Sequence, residues 1–126
     1  MNNVGDLLFA LVCIGFLLHE MDAVQEREWT LLYGLRRLRS DARARTFFIW
    51  LHLPLLIAIL FLVAHENHAV ASSSRTALEA FAILHAGLHA RIRARGSEAF
   101  ASVSSRLIIH GTAVVGGFAL LLRALN

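Results

Sequence analysis

Four apolar stretches dominate the 126 residues, and most ionisable side chains lie between them or at their ends. A helix needs about 20 predominantly apolar residues to cross the hydrocarbon of a bilayer. The chain therefore accommodates four short spans with little left over. Hydrophobic residues make up 57% of it and its mean hydropathy is +0.61, too apolar for a water-soluble domain of this size. The expected fold class is all-α, an integral membrane four-helix bundle with short spans, forming a single transmembrane domain over residues 1–126. Cys13 is alone, which excludes a disulfide framework and a cysteine-based zinc site.

The helices are expected at about 4–28, 42–64, 77–91 and 99–125 from the apolar runs and their flanking signals. No basic residue precedes Arg27, so the first run lacks a signal-peptide n-region and is expected to be retained. Gly15 offers a neighbouring helix a close approach, as do Gly111, Gly116 and Gly117 in helix 4. Between helices 1 and 2, leucines 31, 32, 35 and 38 alternate with arginines, which predicts an amphipathic interfacial segment. Ser40-Asp41 is a good N-cap pair for helix 2. Pro54 leaves the Trp50 carbonyl without its helical donor and predicts a kink beside His52. His65 and His68 flank a small polar loop with Ser72, Ser73 and Ser74. Thr76-Ala77-Leu78-Glu79 has the form of a capping box opening helix 3, and Gly96 ends the segment before helix 4 begins near Ser97.

All twelve basic residues are arginines, and they are unevenly placed. Arg27, Arg36, Arg37, Arg39, Arg43 and Arg45 fall between helices 1 and 2; Arg91, Arg93, Arg95 and Arg106 fall between or beside helices 3 and 4. Only Arg75 and Arg123 lie at the other end. By the positive-inside rule both arginine-rich connections face the cytoplasm and both termini face out, in a bacterial inner membrane. The net charge of +3 thus reflects topology and anionic headgroups, and nucleic acid is not an expected partner.

That topology gives the histidines a common depth. His19 ends helix 1, His89 ends helix 3, and His85 lies one turn, ~6 Å, deeper. His52 enters from the same side on helix 2, and His110 lies ~6 Å inside Arg106 on helix 4. Five histidines on four helices therefore fall in the cytoplasmic third of the bundle. Beside them, the stretch from His19 to Trp29 carries Glu20, Asp22, Glu26 and Glu28, with His19, Asp22 and Glu26 at helical spacing on one face. Glu28 is open to either a supporting or a headgroup-level role. Intramembrane ionisable groups are costly and face the bundle interior, and imidazole with carboxylate is the usual donor set for zinc or iron. His19, Asp22, His52, His85, His89 and His110 are the candidate ligands, for one or two ions. Glu26 and Glu20 are the candidate general bases.

The stretches His19-Glu20-Met21-Asp22-Ala23 to Arg27-Glu28-Trp29, Leu51-His52-Leu53-Pro54 and His85-Ala86-Gly87-Leu88-His89 resemble motifs of a group of small bacterial four-helix membrane proteins of unknown function. The chain is more distantly similar to membrane proteins named for an His-x-x-Glu-Glu motif, from which it departs at Asp22 and Ala23. These resemblances imply that the polar positions act as a set, and they bring no activity with them.

The function expected is a metal-dependent membrane enzyme, of hydrolase or di-metal oxidase type. Its substrate would be a lipid or other hydrophobic small molecule reached from the cytoplasmic leaflet. The alternatives are a b-type haem electron carrier, metal or proton transport, and an accessory subunit. Transport would require a homo-oligomer and a polar path outward, whereas the helices beyond His52 and His85 read as nearly all apolar.

Overall fold

The computed structural model describes residues 3–38, 40–64, 67–95 and 100–125, and every regular element in it is helical. Helix α1 spans Asn3–Gln25, α2 Asp41–Val63, α3 His68–Ala94 and α4 Val103–Leu125. Two 3-10 turns, Glu28–Thr30 and Leu35–Arg37, fill the connection between α1 and α2. Arg39, His65, Gly96 and Ser97, all given roles by the sequence, lie outside the described residues. Among the described residues, three helices are long and apolar enough to cross a membrane: Val4–Gln25, Asp41–Phe61 and Val103–Leu125. The fourth, α3, has 27 residues but is more polar, carrying Arg75, Glu79, His85, His89, Arg91 and Arg93.

Helix α4 is the hub. It buries a stripe of mostly small residues, Ser105, Ile109, Thr112, Gly116 and Ala119, at the 3-4 spacing of one helix face. Helices α1 and α3 both pack along it, while α2 rests on α3 and on the two 3-10 turns. The approach to α3 is close enough that a Cβ at Gly116 would stand 2.7 Å from the Glu79 carbonyl oxygen, and a Cβ at Gly15 would run into the Thr112 side chain. Small residues at such crossings let backbones approach where lipid offers no hydrophobic drive between helices. Gly111, by contrast, faces open space.

The burial is inverted relative to a water-soluble bundle. The largest wholly buried side chains are Glu79, Val12 and Ser105, whereas Leu7, Ile14, Trp50, Phe61, Phe118 and Leu121 are all at least half exposed. Apolar packing is concentrated at one end, where Ala23, Trp29, Leu35, Phe48, Phe100 and Ile109 form the core cluster. The connecting segment closes that end. Trp29 and Leu35 turn inward, and Trp29 Nε1 donates to Asp41 Oδ1 at 3.0 Å while Arg27 binds the same oxygen at 2.8 Å. Ser40 Oγ accepts the Arg43 backbone N–H at 3.4 Å, the capping role expected of it. Helix α2 continues through Pro54.

Two expectations are corrected. Helix α3 begins at His68, not near Thr76: Asn67 is its N-cap, accepting from Ala69 N at 2.9 Å and Val70 N at 3.4 Å. The serines expected in a loop lie inside this helix, where the Ser74 hydroxyl donates to Val70 O and the Thr76 hydroxyl to Ser72 O. Glu79 therefore caps nothing. Its carboxylate is held bidentately by Arg123 of α4, at 2.9 and 3.0 Å. The second correction follows from that pair. Glu79 lies six residues, ~9 Å, beyond His85, so the bundle is not simply apolar above the histidines. Near it, Asp6 of α1 binds Arg75 of α3 at 2.7 Å. These two ion pairs tie α1, α3 and α4 together at the end opposite the histidines.

Candidate metal centre

Each buried stripe delivers a histidine to the same place. On α1 the buried positions Phe9, Val12, His19 and Ala23 follow helical spacing, and on α3 Glu79, Ala82, Ala86 and His89 do the same. Because α1 and α3 run parallel against α4, His19 meets His89 and its one-turn neighbour His85. The Nε2 atoms of His19 and His85 are 2.8 Å apart, and those of His85 and His89 3.1 Å. All three rings offer a nitrogen within 4.8 Å of the other two. Tetrahedral ligand atoms around zinc at about 2.0–2.1 Å stand roughly 3.3 Å apart. The triad is at that scale, and it draws on two helices.

A fourth donor faces the open side of the triad. Glu28, on the first 3-10 turn, places Oε2 3.6 Å from His19 Nε2 and Oε1 3.9 Å from His89 Nε2. Arg27 adopts a left-handed conformation (φ 58°) just before it, which turns the chain back over the end of α1. Burial, together with the carboxylates of Glu20 and Asp22, pushes the Glu28 carboxyl up to about 7 against the opposing influence of His52. Phe100 closes the other side, its ring centroid 4.5 Å from His89 and 5.5 Å from His19, while Phe16 and Phe81 pack on His85 from deeper in the bundle.

The donor set fits a cation. Three Nε2 atoms crowd one point, where unshared lone pairs repel unless protons or a metal ion lie between them. Two buried polar atoms at this end, His19 Nδ1 and Asp22 Oδ2, also have no hydrogen-bond partner. Such atoms are uncommon without an unrecorded water or ion.

The remaining candidates are distributed differently. His52 is bound at both nitrogens, Nδ1 to the Phe48 carbonyl at 2.6 Å and Nε2 to Glu20 Oε2 at 2.9 Å. The carbonyl can only accept, so Nδ1 carries a proton, and a further proton lies between Nε2 and the carboxylate. This pair stands beside the triad without joining it. His110 is exposed, one residue off the buried stripe of α4. Asp22 is half-buried and near enough for its charge to act on Glu28. Glu26 accepts the Phe100 backbone N–H at 3.1 Å and so holds the residue that covers the histidines. Phe100 itself has a positive φ of 59°. Glu28 and Phe100 carried no clear signal in the sequence, because both reach the site through irregular backbone that helical spacing does not describe.

No curated protein and no solved structure matches the chain. A family model does, over residues 6–126, and it covers all four helices and the whole of the candidate centre. The chain belongs to DUF6713, a family of unknown function.

Proposed function

We propose that the chain is a multi-pass membrane protein of the bacterial inner membrane, with its histidine end at the cytoplasmic face, that binds one zinc ion through His19, His85 and His89. We further propose that it hydrolyses an ester- or amide-linked hydrophobic substrate there. Convergence of three imidazole nitrogens from two helices on one point, with Glu28 across the open side, is the observation that carries this reading. Three protein ligands and one open position are the pattern of catalytic zinc.

The membrane placement is supported by three apolar helices, by outward-facing Leu, Phe and Trp, and by charges turned inward. The two arginines of the opposite end are each paired with an acid, Arg75 with Asp6 and Arg123 with Glu79. Ten of the twelve arginines lie at the histidine end, the distribution the positive-inside rule associates with a cytoplasmic face. Both termini then lie outside.

Bound to the triad, the ion would act as a Lewis acid toward a carbonyl and lower the pKa of water at the open position. Glu28 is suited to accept that water's proton, since its carboxylate faces the triad 3.6 Å from His19 Nε2 and 3.9 Å from His89 Nε2. Glu26 and Glu20, each engaged elsewhere, have positioning roles. Iron is the second choice of metal. A di-metal oxidase would need a second donor group, but His52 is taken up by Glu20 and Phe48 and His110 is exposed. A haem needs a macrocycle-wide slot between axial histidines, and these nitrogens touch.

The test is turnover of ester- and amide-linked lipids by zinc-loaded protein in nanodiscs. Chelator-sensitive hydrolysis is expected. Glu28→Gln should keep the zinc and lose on the order of 10²–10⁴ in rate. Zinc binding without hydrolysis of either bond type would overturn the enzymatic reading.

A further inference from the structure

Helix α4 has a second regular face, on the side away from its buried stripe. Leu107, Gly111, Val114, Phe118, Leu121 and Leu125 lie on it at alternating spacings of four and three, and all are exposed. That is the repeat by which one helix packs along another at a shallow angle. The face runs ~27 Å at the helical rise, close to the ~30 Å of a bilayer's hydrocarbon. At Gly111 an added Cβ would meet nothing within 4 Å, so the backbone there is open to a neighbour. Helix α2 differs, because it exposes consecutive residues, Ile49, Trp50 and Leu51, and so presents no single seam. His110 gives the α4 face a polar point. It is exposed beside Gly111, ~10 Å along the helix from Val103. Arg106, one turn earlier, has the length to reach the headgroups. The shorter imidazole, ~6 Å deeper, does not. An ionisable side chain at such depth normally faces protein or a water-filled cavity, not acyl chains.

We infer that a second copy of the chain packs on this face, α4 against α4, with the backbones closest at Gly111 and His110 hydrogen-bonded across the contact. The inference rests on the membrane placement proposed above and on neither the zinc nor the hydrolysis. Copies inserted with one topology run parallel. A twofold axis along the membrane normal then brings the same patch of each copy together at the same depth. Histidine suits such a contact, since a neutral imidazole carries one donor and one acceptor and two copies of it are complementary. Two arginines or two carboxylates would repel. Between His110 and Leu121 the face carries no other polar side chain, so nothing on it selects a partner of opposite charge. Close backbone approach at a glycine, with a polar side chain bonding across, is how helices associate where lipid offers no hydrophobic drive.

The experiment introduces single cysteines and oxidises them mildly in the membranes of the expressing cell, with the parent chain, whose one cysteine is Cys13, as the blank. Gly111→Cys and Val114→Cys should form disulfide-linked dimers at least tenfold more readily than Leu60→Cys on α2 and Leu84→Cys on α3, which are similarly exposed. Self-association is then read by energy transfer between labelled copies in liposomes over a series of lipid dilutions. Gly111→Ile should weaken it at least tenfold and His110→Leu at least threefold, while His110→Asn, which keeps a donor and an acceptor, should retain it. A side chain at Gly111 has open space in the monomer, so Gly111→Ile should keep the helical content of the parent. Energy transfer no higher than that of randomly mixed copies would overturn the inference. So would crosslinking spread equally over α2, α3 and α4, or wild-type association in both Gly111→Ile and His110→Leu. A chain released from membranes by alkaline carbonate would overturn the membrane placement and this inference with it, whereas a chain retained there as a monomer would overturn this inference alone.

Discussion

Replacing His85 by alanine is expected to lower zinc affinity by more than 100-fold. The physical reason is its central position: its Nε2 is the atom that contacts both His19 and His89. Loss of a supporting group around a metal typically costs 10–100-fold in affinity, and loss of a direct ligand should exceed that. His52→Ala is the informative comparison. It would free Glu20 but leave the three converging nitrogens in place, so zinc affinity should fall by no more than about tenfold. Both values can be read by competition with a fluorescent zinc chelator in detergent. Equal losses in the two variants would mean that the ion, if bound, is not held by the triad.

The second large effect is on stability. Arg123→Ala should cost about 3–5 kcal/mol, because it leaves the Glu79 carboxylate buried and uncompensated. The double variant Glu79→Leu with Arg123→Met removes both charges and keeps much of the volume. Replacing a buried pair by apolar residues is often neutral or stabilising, so this variant should recover most of the loss. Reversible unfolding in mixed micelles measures all three species. If Arg123→Ala is within about 0.5 kcal/mol of the parent, the range of ordinary surface substitutions, the pair is not the clamp described above.

What could be read in advance follows the distinction between regular and irregular backbone. The depth of His19, His85 and His89 followed from helical rise and arginine placement, and in the structure these three are together. Depth said nothing about direction. His110 lies at a comparable level but one position off the stripe of Ser105, Ile109, Thr112 and Gly116, and is exposed. His52 is also close, yet its partner Glu20 is on another helix, and spacing within one helix cannot reveal a contact between two. Glu28 depended on the left-handed backbone of a non-glycine residue, Arg27, which composition gives no reason to expect.

Glu79 shows a different difficulty. Thr76 and Glu79 have the letters of a capping box, but a capping box works only where a helix starts. Asn67 starts this one nine residues earlier, and the glutamate is left free to pair across the bundle. Small residues were the better guide. Gly15 and Gly116 both mark close helix approaches, at Thr112 and at the Glu79 backbone. In a bilayer such contacts, and paired polar groups, take over the role that apolar burial has in water.

The metal content of the purified protein tests the central claim most directly. Wild-type protein, extracted gently and without chelators, should carry close to one equivalent of zinc per chain by elemental analysis, the stoichiometry of a single three-histidine site. His19→Ala and His89→Ala, prepared alongside, should carry almost none while remaining helical. Wild type and both variants with the same metal content, whether zero or one, would contradict the account and leave the histidines as a packing element of the bundle.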